Sequence, residues 1–322
     1  MKKIMTVTGK QSPEHLGFCQ CHEHLMISCG VSHRTNPALL IDDVEKSMQE
    51  VQRFRQMGGN TIVDAQPGGC NRMESALFKI STTTGVNIIA ATGFHKLIFY
   101  PEHHWIYTKS LNELQNIFLH ELQKGMYCNI DHEFHEEFVP CLAGIVKAAL
   151  DLEGLSPVYQ KLFRAAAFAA VTCDVPLMVH IEQGADPLSL LSFLFEQQVT
   201  PQRIIFCHMD RTIAPLSYYT ACLSHGITLE FDTIGRYHYH DDESEISLIK
   251  NLLDRGYEKQ LLCSLDTTRT RLKSYTPDAI GLDFLLTTYL PLMKKYGITE
   301  EQLQNVFLHN PVNIFTSQSA AV

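Results

Sequence analysis

The stretch Leu16-Gly17-Phe18-Cys19-Gln20-Cys21-His22-Glu23-His24-Leu25 decides the fold. A short, largely apolar run ends here in two histidines with a glutamate between them. On a strand, residues i and i+2 share a face, so the two imidazoles project together and Glu23 faces away. Two imidazoles converging at a strand end can share one metal ion. An open doubly wound sheet would need a glycine-rich phosphate loop after its first strand. His-Glu-His stands there instead, which favours a closed barrel whose strand ends all face one mouth.

Working outward, seven more short apolar runs follow, and eight strands are predicted: 17–24, 60–66, 87–93, 141–147, 176–182, 203–210, 227–233 and 260–267. Helical spacing fills the intervals at 41–58, 72–83, 156–172, 187–197, 213–224 and 243–255, with a helical tail over 278–315. Gly58, Gly59, Gly85, Gly226 and Gly256 stand where those helices should stop. Short runs alternating with helices imply parallel βαβ units. The fold expected is α/β, a single (β/α)₈ TIM barrel occupying 1–322 as one domain. Segment 96–139 breaks the rhythm. It reads as a helix near 110–125 plus loops that reach over the mouth.

The bulk numbers agree. The chain has 322 residues, 45% hydrophobic and 19% charged, with a formal net charge of −9. A barrel of this size is ordinary. The acidic balance and the lack of a Lys/Arg-rich run argue against a nucleic-acid partner. No apolar stretch reaches 18 residues, so no membrane span is expected. Ten cysteines occur without a C-x-x-C pair, which points to a reducing, cytoplasmic setting and against a thiolate zinc site. The N-terminus lacks the apolar core of a signal peptide.

The chemistry gathers at strand ends. Leu177-Met178-Val179-His180 closes the fifth run and Ile204-Ile205-Phe206-Cys207-His208 the sixth. One such histidine is usually a satisfied core residue, but two in succession at C-terminal strand ends face the same mouth. Ser264-Leu265-Asp266 closes the eighth run, where an aspartate could equally cap the following helix. Lys147 ends the fourth run. A buried unpaired ammonium is costly, so it either reaches solvent, pairs with Asp151 or Glu153, or has a depressed pKa. A neutral amine can take up carbon dioxide as a carbamate that bridges two metals. A second triplet, His238-Tyr239-His240, precedes Asp241-Asp242 but falls in a loop, where it is weaker evidence for ligands.

The set His22-x-His24, Lys147, His180, His208 and Asp266 resembles the phosphotriesterase-like branch of the amidohydrolase superfamily. Order and strand position both match, and so do the tail Leu308-His309-Asn310-Pro311 and the flanking strings around His22, Lys147 and Asp266. The resemblance implies a metal-dependent hydrolase with two divalent ions, zinc by default, with manganese or cobalt as alternatives. It implies that His22, His24 and Asp266 hold the more buried ion and that His180 and His208 hold the other. Carboxylated Lys147 and a hydroxide would bridge them, with Asp266 as the catalytic proton acceptor. It also carries the expectation of a homodimer.

For the substrate, loop residues Lys96, Arg236, Arg269 and Arg271 suggest a small molecule with an anionic group. The resulting expectation is a lactonase opening a small polar lactone, in particular a phosphorylated sugar lactone. The alternatives are a phosphotriesterase or an amide or ester hydrolase on the same centre, and a non-catalytic metal-binding barrel.

Overall fold

The computed structural model describes residues 2–318. Eight strands run in one parallel sheet: β1 (Phe18–Glu23), β2 (Gly59–Asp64), β3 (Asn87–Gly93), β4 (Ala143–Leu150), β5 (Leu177–Ile181), β6 (Ile204–Cys207), β7 (Thr228–Phe231) and β8 (Leu261–Cys263). Each pairs with its chain neighbours in order. β8 returns to β1 through Asp266 N–H donating to His22 O at 3.0 Å, and through the Ser264 hydroxyl, which accepts from His22 N at 2.9 Å. This is the (β/α)₈ barrel expected from the alternating runs.

Period-two alternation fills the interior. Cys19, Cys21, Val63, Ile89, Ala91, Ile145, Met178, Ile205, Cys207 and Leu262 form one buried cluster, closed by Ile4, Leu16, Ile314 and Phe315. The strand Lys2–Thr6 pairs with both Gly9–Gln11 and Ser317–Gln318, so the two chain ends meet at the floor. Counting two residues on from Ile145, Met178 and Leu262 along the same inward face gives Lys147, His180 and Ser264. On β7 the inward residue is Glu230, a fully buried carboxylate.

Helices cover the outside. Val44–Gln56 is capped by Asp43, which accepts from Lys46 N at 3.1 Å. Glu74–Thr84 ends on Gly85 in the left-handed region, φ 71°. The predicted tail helix is interrupted at Gly297, φ 82°, and restarts on a Thr299 capping box. Among the described residues no helix is long and apolar enough to cross a membrane.

Segment 96–139 supplies the outer helix between β3 and β4. Leu111–Gln123 starts on a Ser110–Glu113 capping box, and the ribbon Met126–Tyr127/Phe138–Val139 follows it. It is anchored by a buried ion pair: Arg72 Nη2 donates to Glu121 Oε1 at 2.6 Å, and Nη1 to Oε2 at 3.2 Å. Thr92 Oγ1 and Tyr127 N also donate to that carboxylate. Glu121→Ala strands the guanidinium in the interior. The expected result is a loss of about 3–5 kcal/mol in chemical denaturation, and a loss below 1 kcal/mol would show that the pair is not an anchor.

Candidate metal centre at the barrel mouth

The strand ends bring six side chains together. Lys147 Nζ lies 3.1 Å from His22 Nε2. His24 Nε2 is 3.4 Å and His22 Nε2 3.9 Å from Asp266 Oδ1. The rings of His22 and His208 are 4.9 Å apart, and those of His208 and His180 4.4 Å. All six residues are buried.

Local backbone departures do the aiming. The register of β1 on β2 shifts between Gln20 and Glu23, so consecutive residues Cys21 and His22 both face inward. His208 and Asp266 adopt φ 61° and 47°, a conformation costly for residues other than glycine. Each turns its side chain back over the mouth. Gly93, φ 102°, lies against β4 so closely that a Cβ there would stand 2.0 Å from Lys147 O. Glu23 points to the seam, where its carboxylate accepts from Ser264 Oγ, Leu265 N and Thr267 N at 2.8–3.0 Å. Burial pushes this carboxyl up to about 7 against those bonds.

Behind the ligand set stands a layer that sequence reading missed. Asp232 Oδ1 accepts from His208 Nδ1 at 2.7 Å, and its Oδ2 is 3.0 Å from His22 Nδ1. Glu230 Oε2 is 3.2 Å from the same His22 nitrogen. These carboxylates hold the Nδ1 protons, so both rings present Nε2 to the mouth. Burial and the nearby Lys147 lower the His22 pKa, but Cys207 and Asp232 beside it leave the imidazole well above its ordinary value. Cys207 shares this corner, and burial raises its thiol to about 12. Asp232→Asn is expected to weaken metal binding about 10- to 100-fold, read by titrating chelator against the loaded protein. Unchanged retention would remove Asp232 from this role.

The residues present fit divalent ions. His22, His24 and Asp266 offer ligand atoms within 4.8 Å of one another. His24 Nδ1 and His180 Nδ1 are buried without a hydrogen-bond partner. Burial takes the His180 imidazole down to about 3, although Glu182 opposes the shift, so it is a neutral donor. Lys147 is fully buried, and among the described residues no carboxylate oxygen comes within 4.0 Å of its Nζ. Neither Asp151 nor Glu153 pairs with it.

A cavity of about 170 Å³ opens over this cluster. Lys96 and Arg236 line it, as does Arg211, which sequence reading did not single out. Arg236 Nη2 donates to Asp266 Oδ2 at 2.9 Å and also to Asp266 O. Lys96 Nζ pairs with Glu182 Oε2. Arg269 and Arg271 do not line it. Arg271 is buried and donates to Ile234 O, while Arg269 donates to Leu40 O and stacks on Tyr275.

This barrel and this cluster define a hydrolase of a metal-dependent kind. The chain belongs to the phosphotriesterase family, whose model matches residues 2–315. It is 27% identical to the phospho-furanose lactonase of Mycoplasmopsis synoviae, over 97% of this chain and 91% of that one. A crystal structure of a lactonase from Listeria monocytogenes superposes with a TM-score of 0.89 at 27% identity, covering 98% and 100% of the two chains. The phosphotriesterase homology protein of Escherichia coli, solved with phosphate in its active site, superposes with a TM-score of 0.83 at 26% identity over 94% and 99%.

Proposed function

We propose that this enzyme opens a small lactone bearing a phosphate, using two divalent ions held by His22, His24, Lys147, His180, His208 and Asp266. Lys147 serves as a carbamate, formed when its neutral amine adds carbon dioxide and releases a proton. Bound ions supply a nucleophile from water at neutral pH and polarise the lactone carbonyl. Asp266 accepts the proton of the attacking water. The ring C–O bond breaks, and Asp266 returns that proton to the leaving alkoxide. Burial opposes ionisation of Asp266, but Arg236 beside it and the hydrogen bond to His24 hold its pKa well below the usual range, so it starts as a base.

One observation carries the phosphate. The Nε atoms of Arg211 and Arg236 are buried at the cavity wall and have no hydrogen-bond partner. Unsatisfied guanidinium donors at a binding cavity call for an anionic acceptor. The wall is mostly polar, with Leu39 and Phe99 among its few apolar members, which suits neither a long acyl chain nor a neutral triester. A phospho-furanose lactonase among the relatives, and phosphate in the active site of the E. coli homologue, support the same reading.

The test compares a phosphorylated aldonolactone with its unphosphorylated counterpart. A charged hydrogen bond is worth about 1.5–3 kcal/mol, so Arg236→Met should raise KM for the phosphorylated lactone about 10- to 100-fold more than for the other, while any change in kcat through the Asp266 contact falls on both substrates. Equal kcat/KM on the two substrates in the wild type would remove the phosphate.

A further inference from the structure

The second histidine triplet does not reach the mouth. His238 is exposed, Tyr239 lines the cavity, and His240 turns inward behind the ends of β6 and β7. There it meets Asp210, just beyond β6, and Glu245, in the first turn of helix Asp242–Leu252. Both carboxylates are fully buried, and the His240 side chain is 2% exposed. None of the three lines the substrate cavity.

By strict hydrogen-bond geometry Asp210 Oδ1, His240 Nδ1 and both oxygens of Glu245 have no partner, although the Asp210 carboxyl and the buried Tyr289 hydroxyl both stand close to Glu245. Asp210 Oδ2 is already used, accepting from Thr233 N at 2.7 Å. His240 Nε2 lies 3.1 Å from Thr233 Oγ1. With Nε2–H donating to that hydroxyl, the Nδ1 lone pair is left facing Glu245 Oε2 at 3.6 Å. Among the described residues no lysine or arginine nitrogen comes within 4.0 Å of Asp210 or Glu245. Three convergent acceptors in a dry interior repel one another unless a cation or a shared proton lies between them.

The spacing suits a metal. The three ligand atoms lie within 4.8 Å of one another. Zinc bonds near 2.0–2.2 Å in a tetrahedron place ligands about 3.3–3.6 Å apart, a spacing the His240–Glu245 pair already has at 3.6 Å. The donor set, one imidazole and two carboxylates, is that of a zinc-class ion. Thr233 orients both Asp210 and His240 from behind, as partners outside a coordination sphere do.

We propose that Asp210, His240 and Glu245 bind a divalent ion of the zinc class, separate from the centre at the mouth. It fastens the loop after β7, which carries Arg236 and Tyr239, to the end of β6 and to the following helix. Its role is to hold the loop that presents the substrate-facing guanidinium.

The experiment is an anomalous-scattering map of wild-type crystals grown with zinc, together with metal content per chain. The expected result is a peak bounded by Asp210, His240 and Glu245, with one equivalent lost in both His240→Ala and Glu245→Gln. A map without that peak overturns the proposal and leaves a proton shared between the two carboxyls as the explanation. A full metal count retained in either folded variant overturns it as well. Should a variant not fold, the wild-type map decides alone. Because the map locates each ion, failure here is distinct from failure of the reading at the mouth.

Discussion

Lys147→Met is expected to lower kcat/KM on the order of 10³-fold or more, and to leave the chain holding fewer ions than the wild type. The physical reason is the surroundings of the Nζ atom. This fully buried amine lies 3.1 Å from the His22 imidazole, and among the described residues no carboxylate oxygen within 4.0 Å gives it a direct ion pair. As the proposed carbamate it would be an anion with two oxygens beside the five other proposed ligands. Methionine keeps most of the volume but can carry neither charge nor oxygen. The measurement is metal content and turnover of apo-enzyme reloaded with and without bicarbonate, together with ¹³C NMR after ¹³C-bicarbonate labelling. A wild type that reloads fully without bicarbonate and shows no carbamate carbon would exclude the modification.

Asp266→Asn should cost about 10²- to 10⁴-fold in kcat. This carboxylate touches His24, His22 and Arg236 at once, and φ 47° at its own Cα fixes its direction. Asparagine preserves the shape and loses both the charge and the capacity to accept a proton. Metal analysis separates the two consequences. A variant that keeps its ions while turnover collapses identifies proton transfer as the missing step, whereas loss of an ion assigns Asp266 chiefly to coordination. Turnover within tenfold of the wild type would remove Asp266 from both roles.

The barrel was legible in the sequence because its signals are local. Each strand is a short apolar run, and each active side chain closes such a run, as Lys147, His180 and Asp266 do. The strand boundaries moved by a few residues; β4 runs on to Leu150, and β8 stops at Cys263. What was not legible depends on neighbours from other strands. Asp232 and Glu230 sit in the seventh run like ordinary strand residues, and only the closed barrel puts them behind His22. Arg211 follows His208 by three positions, but nothing in that spacing says that its side chain faces the cavity. Arg269 and Arg271 show the converse. A cation in a loop at the correct end of the barrel can still be spent on a backbone carbonyl. His240 was read as loop material because burial of a loop histidine depends on what the next helix brings to it, here Glu245.

The seam between β1 and β8 joins residues 242 positions apart through the Ser264 hydroxyl, and Glu23 and one backbone bond reinforce it. Contacts of such sequence separation form late, since the whole intervening chain must first be ordered. His22, His24 and Asp266 straddle that join, so the seat proposed for the more buried ion does not exist until the ring has shut. Loading of the proposed centre with metal would then work as a latch on topology. It adds stability only to molecules that have completed the circuit, and its withdrawal should reopen the cylinder at this one stave before any other.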